Sequence, residues 1–155
     1  MIRSTLVYLI RDGQWLMLLR NRKEHDVNHG KWIGVGGKSL PGETQEECAI
    51  RETLEETGYL CTPEYRGRLQ FRYEGEESED ISVYTSQRFT GTFHDTEEGT
   101  LAWIDEDRIL DLELWPGDRL FLERILKGKT GIFSYILEYD SSGRLLRAEE
   151  EPEYE

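Results

Sequence analysis

Hydrophobic residues along the chain fall into short clusters separated by turn residues, a pattern that predicts several strands and few helices. Branched and aromatic residues dominate residues 1–10 and 15–19, and the Asp12-Gly13 pair between them predicts a hairpin. Further clusters predict strands at residues 65–73, 80–90, 101–104 and 131–139, the last in a hairpin with Leu145-Leu146. The pattern indicates an α/β protein with a substantial sheet.

Two segments instead show the spacing of a helix. The first begins after Thr44, which forms a capping box with Glu47, and ends before Gly58, a residue favoured at helix C-termini. Residues 118–127 form the second, an amphipathic helix. Residues 22–31 are polar and predict a loop.

The composition narrows the class of protein. The chain has 155 residues, with 19 Lys or Arg against 32 Asp or Glu, and its formal charge is −13. This charge disfavours non-specific nucleic-acid binding, and a phosphorylated ligand would need a bridging divalent cation. Cys48 and Cys61 lack metal or redox spacing, and no apolar run is long enough for a signal peptide or a membrane span. We therefore expect a cytoplasmic protein with free thiols, in which one domain, residues 1–147, precedes a disordered acidic tail, residues 148–155.

Three carboxylates of the first helix share one face, because Glu55 and Glu56 lie three and four residues after Glu52. Ile50 and Leu54 fall on the opposite side, which is predicted to be the separate apolar face of the helix. Like charges this close destabilise a helix unless something compensates them, and a hard cation such as Mg²⁺ is a suitable compensator. On their own, however, such residues more often form a solvated acidic surface.

A longer spacing pattern favours a cation site over a solvated acidic surface. It consists of Gly37, Glu43, Arg51-Glu52, Glu55-Glu56 and Gly58. Chance would produce it in about three of ten thousand chains of this composition. The pattern resembles the Nudix box of the Nudix hydrolase family. The resemblance implies the Nudix fold, a mixed β-sheet sandwiched between helices, and a metal-dependent enzyme that hydrolyses nucleoside diphosphate derivatives.

The resemblance also implies a metal site. A divalent cation, Mg²⁺ or in its place Mn²⁺, would be held by carboxylates and one backbone carbonyl, those of Glu52, Glu55, Glu56, Glu98 and Gly37. Catalysis would fall to Glu52, Glu55 and Glu98, and which glutamate is the general base stays open. Glu98 precedes a predicted strand, and a plain acidic turn is the alternative interpretation. Glu43 would pair with Arg51 and hold the glycine loop, residues 34–37, against the helix.

Three segments outside the box resemble the branch of the family that hydrolyses 8-oxo-dGTP. They are residues 31–38, residues 115–118 and residues 131–133. This likeness implies a nucleotide pocket formed by Thr5, Ile33, Lys38, Trp115 and Asp118. The implied reaction converts a nucleoside triphosphate to its monophosphate and pyrophosphate, and it could remove oxidised purine nucleotides. For Trp115 the alternative is a core aromatic, and for Asp118 an ordinary helix N-terminal residue.

Two positions depart from that branch. Ile33 stands where relatives carry a base-reading asparagine, and Gly117 stands where they carry an aspartate. Because an apolar side chain cannot hydrogen-bond to a base, Ile33 predicts a looser choice of base. The alternatives are another substrate (a dinucleoside polyphosphate, a nucleotide sugar or a capped RNA), a non-catalytic nucleotide-binding regulator, or an acidic structural protein. The nucleotide is the expected partner, no membrane is expected, and the oligomeric state stays open.

Overall fold

The computed structural model describes residues 1–151. The strands of this part of the chain are β1 (Ile2–Arg11), β2 (Gln14–Leu19), β3 (Trp32–Ile33), β4 (Tyr59–Cys61), β5 (Glu64–Tyr73), β6 (Glu79–Ser86), β7 (Phe89–Gly91), β8 (Thr100–Asp105), β9 (Phe133–Tyr139) and β10 (Leu145–Glu150). Helix α1 spans Gln45–Thr57, α2 spans Asp118–Leu126, and Glu106–Asp111 form a 3₁₀ helix. Among residues 1–151, no helix is long and apolar enough to cross a membrane.

A mixed sheet organises the fold, with the order β10-β9-β5-β6-β1-β2-β3. Strand β1 lies between β6, which is parallel to it, and β2, which is antiparallel. Strand β3 pairs with Leu18 and Leu19 of β2, further along the edge that pairs with β1, and β8 pairs with the opposite edge of β2. Strands β4 and β7 form a separate two-stranded sheet. Strand β1 is thus the central strand on which both faces of the protein are built.

The two faces of β1 contact different helices, because successive side chains of a strand point to opposite sides. Val7 and Leu9 belong to the hydrophobic cluster that contains Ala49 of α1. Tyr8 belongs to the other cluster, where Phe121 of α2 lies 6.2 Å from it between ring centroids. The sheet therefore lies between the helices, which confirms the predicted mixed α/β architecture.

Helix α1 begins and ends as predicted. The Thr44 side chain accepts a hydrogen bond from the Glu47 N–H, and the Glu47 carboxylate accepts one from the Thr44 N–H. Gly58 adopts a left-handed conformation, with φ of 83°, and its N–H donates to the Leu54 carbonyl. These caps fix where the helix starts and stops beside the glycine loop.

The predicted apolar face of α1 is wrong. Leu54 is 44% exposed and Ile50 is only partly buried. The residues that α1 buries are Cys48, Ala49, Thr53, Glu56 and Thr57. Small side chains let the helix approach β1 closely, so the buried face runs next to the acidic one and includes a carboxylate. A helical-wheel argument ranks large apolar residues first and misses this arrangement.

Three further boundaries differ from the prediction. Residues 80–90 form two strands in different sheets, β6 and β7, because the chain bends between them. The tail prediction is wrong for Ala148–Glu150, which complete β10 against β9, and the Glu151 N–H donates to the Ser134 carbonyl. The rest of the predicted tail, residues 152–155, lies outside the described residues. Strands β3 and β4 are too short to show a pattern in the sequence.

Candidate active site

The glycine loop, residues 34–37, lies directly against β1. Val7 and Val35 exchange backbone hydrogen bonds of 2.6 and 3.0 Å, and the Thr5 N–H donates to the Gly37 carbonyl at 2.9 Å. At Gly36, φ is 143°, and a Cβ there would lie 2.0 Å from the Thr5 carbonyl oxygen. Glycine is therefore required at position 36, because any side chain would push the loop off the strand.

Two carboxylates of α1 face the backbone of this loop. The Gly36 N–H donates to Glu56 Oε2 at 3.1 Å. A Cβ on Gly37 would lie 2.6 Å from Glu52 Cδ, so that carboxylate packs directly on the glycine. The Glu55 side chain is 59% exposed and lies 3.3 Å from an Arg51 nitrogen. The structure thus brings Glu52 and Glu56 to the loop and leaves Glu55 at the solvent edge.

Arg51 connects the loop to the helix. Its Nε donates to Glu43 Oε2 at 2.7 Å and its Nη2 to Glu43 Oε1 at 3.0 Å, which is the predicted pair in bidentate form. The Lys38 carbonyl accepts from Nη2 at 3.1 Å, and Glu52 Oε1 accepts from Nη1 at 2.9 Å. Hydrogen bonds from Arg51 lower the pKa of Glu43 to about 2. One guanidinium therefore sets the position of the loop relative to Glu52.

A negative charge on Glu56 is unfavourable in this environment. Burial is the main cause that raises its pKa to about 8, and the charges of Glu52 and Glu98 raise it further. The Gly36 N–H and Arg20 oppose the shift. An additional cation beside Glu56 would offset both the burial and the repulsion.

Glu52 and Glu56, one helical turn apart on α1 and next to the glycine loop, form what we call the acidic corner. Their carboxylate oxygens are suitable ligands for a hard divalent cation. The side chains are not gathered into a complete cage. Within the part of the chain that the structure describes, no group of three or more His, Cys, Asp or Glu residues is close enough to hold a metal ion. Glu52 and Glu56 therefore match a divalent cation in charge and in ligand type. A bound ion would draw the two carboxylates together.

Glu98 lies near this corner but is engaged with basic residues. Its carboxylate is 3.5 Å from both Arg20 Nη2 and Lys23 Nζ. Arg20 is also paired with Asp26, at 2.8 Å. After burial and the charge of Glu52, the charge of Glu98 further raises the pKa of Glu56. The predicted role of Glu98 stays a prediction.

The Gly37 carbonyl, the predicted backbone ligand, accepts a hydrogen bond from β1. It accepts from the Thr5 N–H at 2.9 Å, and the Thr5 Oγ1 and Cys48 Sγ lie 3.5 and 3.4 Å away. Its role as a metal ligand stays a prediction. Gly36, whose N–H contacts Glu56, is the glycine whose backbone faces the acidic corner.

A cavity of about 400 Å³ opens beside the glycine loop. Every predicted pocket residue lines it, together with the loop: Thr5, Ile33, Gly37, Lys38, Trp115 and Asp118. Within residues 1–151, Glu52 and Glu56 do not line the cavity themselves, but they contact Gly36 and Gly37, which do. The acidic corner and the predicted nucleotide pocket therefore meet at the glycine loop.

Trp115 is both a cavity residue and a core residue. It is only 3% exposed, and the rings of Phe71, Tyr73 and Tyr139 pack edge-on against it at centroid distances of 4.8 to 5.9 Å. Its Nε1 donates to Asn28 Oδ1 at 2.7 Å. The core interpretation and the pocket interpretation are thus compatible. The sequence offers no signal for Asn28, which is one polar residue in a polar loop.

Asp118 is a buried carboxyl group at the first position of α2, and it is 4% exposed. Burial raises its pKa to about 7, and the positive charge of Lys31 opposes the shift. Burial is the main cause that raises the pKa values of the Tyr8 and Tyr139 hydroxyls, and the charge of Asp118 raises them further. Near neutral pH this group can donate or accept a hydrogen bond in the cavity.

Replacing Asp118 with asparagine should change how stability depends on pH. The pKa is 3.8 in the unfolded chain and about 7 in the folded protein, so folding takes up a proton between these values. The stability that this proton contributes is complete below about pH 4 and is lost as the pH rises through about 7. Urea unfolding should show that Asp118→Asn gains free energy of unfolding, relative to wild type, between about pH 4 and pH 7, with no further gain above about pH 8. Parallel pH curves for the two proteins would show that Asp118 is not a buried titrating group.

Comparisons with known proteins agree with this geometry. The NUDIX domain family matches residues 2–125. An oxidized purine nucleoside triphosphate hydrolase from Danio rerio is 32% identical over 127 residues, which cover 81% of this chain and 80% of that protein. An uncharacterized Nudix hydrolase from Bacillus subtilis is 32% identical over 147 residues, 89% of each chain. The crystal structure of a MutT protein from Bacillus halodurans covers 99% of this chain and 100% of its own, with a TM-score of 0.86 and 26% identity.

Proposed function

The chain belongs to the NUDIX domain family of hydrolases, and on that premise we propose that it cleaves a nucleoside triphosphate into a nucleoside monophosphate and pyrophosphate with the help of Mg²⁺. The observation that carries the proposal is the meeting of two features at the glycine loop. On one side lie Glu52 and Glu56, and on the other a cavity with Trp115 and Asp118. A triphosphate that spans the loop would place its base in the cavity and its phosphates at the carboxylates.

The charge of the protein explains the need for a cation. With a formal charge of −13, the chain repels a polyphosphate, and the carboxylates beside the loop increase that repulsion. In this proposal Glu52 and Glu56 hold Mg²⁺, or Mn²⁺ in its place, and a backbone carbonyl of the glycine loop supplies a further ligand. A bound divalent ion would neutralise charge on the phosphate oxygens and lower the pKa of the attacking water.

Two further carboxylates can take the proton of the attacking water. Glu55 is exposed beside Arg51, and Glu98, in the loop before β8, lies 3.5 Å from Arg20, which lines the cavity. A carboxylate that does not bind the cation is free to act as a general base. Arg51 acts indirectly, because its hydrogen bonds to Glu43 and Lys38 hold the loop in place.

The base pocket favours a purine, and an oxidised purine such as that of 8-oxo-dGTP is the proposed physiological substrate. The relative from Danio rerio, named for oxidized purine nucleoside triphosphates, supports this choice. Trp115 supplies an aromatic surface, Asp118 a polar group, and Thr5 and Lys38 line the side next to the loop. Ile33, which is 7% exposed in the same cavity, provides apolar contact without a hydrogen bond.

A substrate panel tests this proposal. Purified protein with Mg²⁺ should hydrolyse 8-oxo-dGTP and ordinary purine triphosphates with higher kcat/KM than dinucleoside polyphosphates, nucleotide sugars or capped RNA. Because of Ile33, the preference for 8-oxo-dGTP over dGTP should stay below several orders of magnitude, and Ile33→Asn should increase it. Higher kcat/KM for any of the other three substrate classes would replace the proposed one, and binding without turnover would indicate a regulator.

Replacing Trp115 with alanine should weaken nucleotide binding. Base–aromatic stacking contributes about 1–3 kcal/mol, so we expect KM to rise about 5- to 150-fold with a smaller change in kcat. Trp103→Ala is a suitable control, because Trp103 packs in the cluster on the α1 side of the sheet, away from the cavity. Steady-state kinetics on dGTP distinguish the two variants, and thermal unfolding shows whether each still folds. An unchanged KM in Trp115→Ala would remove this residue from the pocket.

A further inference from the structure

The side-chain amide of Asn28 is held in one orientation at the wall of the cavity. Its Oδ1 accepts the hydrogen bond of the Trp115 indole at 2.7 Å. An indole N–H only donates, so the amide oxygen must face it and the NH₂ group must face away. Backbone bonds also fix the residue, because its N–H donates to Asp26 Oδ1 and its carbonyl accepts from the Lys31 N–H.

The NH₂ group of Asn28 is left available to a ligand. Among residues 1–151, no group accepts a hydrogen bond from its Nδ2, the atom keeps some exposure to solvent, and Asn28 lines the cavity. The same indole ring that orients the amide is the proposed stacking surface for the base. A base stacked at Trp115 would therefore bring one polar edge toward a fixed pair of N–H donors.

We propose that Asn28 is a specificity-determining residue that donates a hydrogen bond to a carbonyl oxygen of the base, so that 6-oxopurines bind in preference to 6-aminopurines. The inference rests on the proposed function and names the chemistry of its base site. An NH₂ donor pairs with a C=O acceptor, whereas it meets an exocyclic amino group donor to donor. Asp118, in the same cavity, can accept from the ring N–H that neighbours the carbonyl in a 6-oxopurine.

Two of the other predicted pocket residues do not supply this donor. Ile33 is apolar, and Thr5 Oγ1 lies 3.5 Å from both the Gly37 carbonyl and Cys48 Sγ. Asn28 thus supplies the donor that Ile33 cannot.

The test substitutes aspartate for Asn28 and compares dITP with dATP. These nucleotides carry the same phosphates and differ only at C6 and N1 of the purine. Asn28→Asp keeps an oxygen that accepts from the Trp115 indole and replaces the NH₂ donor with an acceptor. The added charge acts on both triphosphates alike, so it cancels in the ratio of their kcat/KM values. Asn21→Asp is the matched control, because Asn21 is exposed, contacts Thr100 and does not line the cavity.

We expect wild type and Asn21→Asp to prefer dITP, and Asn28→Asp to lower the dITP to dATP ratio by at least about tenfold. Equilibrium binding of dIMP and dAMP should change in the same direction. An unchanged ratio in Asn28→Asp, or no preference for the 6-oxopurine in wild type, would overturn the inference. If neither triphosphate is hydrolysed, the proposed function fails, and the binding ratio of the two monophosphates still decides the role of Asn28. If neither monophosphate binds, the inference fails as well.

Discussion

Replacing Glu56 with glutamine should remove at least about 99% of turnover while leaving the protein as stable as wild type, or more stable. The activity falls because an amide is a weaker ligand for a hard cation than a carboxylate. The stability does not fall because the carboxylate is buried and repelled by Glu52 and Glu98, and a neutral side chain of the same shape avoids both costs. The Gly36 N–H can still donate to the amide oxygen. Loss of function without loss of fold distinguishes a functional carboxylate from a structural one.

Thermal unfolding with and without Mg²⁺ gives a second test of the same variant. Wild type should melt at a higher temperature as Mg²⁺ is added, because the ion binds the folded state, and Glu56→Gln should respond less. Glu46→Gln is the matched control, since Glu46 lies on the same helix but is exposed to solvent. Full activity and an unchanged Mg²⁺ response in Glu56→Gln would show that the cation site lies elsewhere.

Replacing Gly36 with alanine should be among the most damaging single changes to the loop. The new Cβ would lie 2.0 Å from the Thr5 carbonyl oxygen, which belongs to the backbone of the central strand and cannot move aside cheaply. Left-handed strain and overpacking together predict a loss of about 2–5 kcal/mol in the free energy of unfolding. The displaced loop would also shift the backbone that contacts Glu56, so we expect kcat/KM to fall by about 100-fold or more.

The control for this variant is Gly42→Ala. Gly42 also has a positive φ, of 80°, but nothing lies within 4 Å of the position of its Cβ. It should therefore lose only about 1–2 kcal/mol of stability, from backbone strain alone, and keep most of its activity. Urea unfolding and steady-state kinetics measure both variants. Equal losses in the two would mean that close approach of Gly36 to β1 is unimportant.

Local signals in the sequence predicted the part of the site that depends on spacing. Thr44 and Gly58 bound α1 because capping is a short-range property. The Glu43–Arg51 pair formed as expected, because Glu43 directly precedes the N-cap of α1 and Arg51 lies about two turns into the same helix. The pocket residues are separated by up to about a hundred positions. No local pattern links them, and only the resemblance implied that they would line one cavity.

Long-range packing determined what the sequence could not predict. Burial of Glu56 and exposure of Leu54 follow from how closely α1 approaches β1, which no helical pattern encodes. Ala148–Glu150 look like a disordered acidic segment, yet the free edge of β9 pairs with them. Asn28 becomes notable only once the fold places it beside Trp115. In each case the partner lies far away in sequence and carries no local signature.

The most direct test of the account is to identify the products of dGTP hydrolysis by wild type and Glu56→Gln, with and without Mg²⁺. We expect wild type to form equal amounts of dGMP and pyrophosphate, and only when a divalent cation is present. The variant should form almost none. Release of orthophosphate and dGDP, or product formation that depends on neither the cation nor Glu56, would contradict the claim that the acidic corner and the cavity form one pyrophosphohydrolase site.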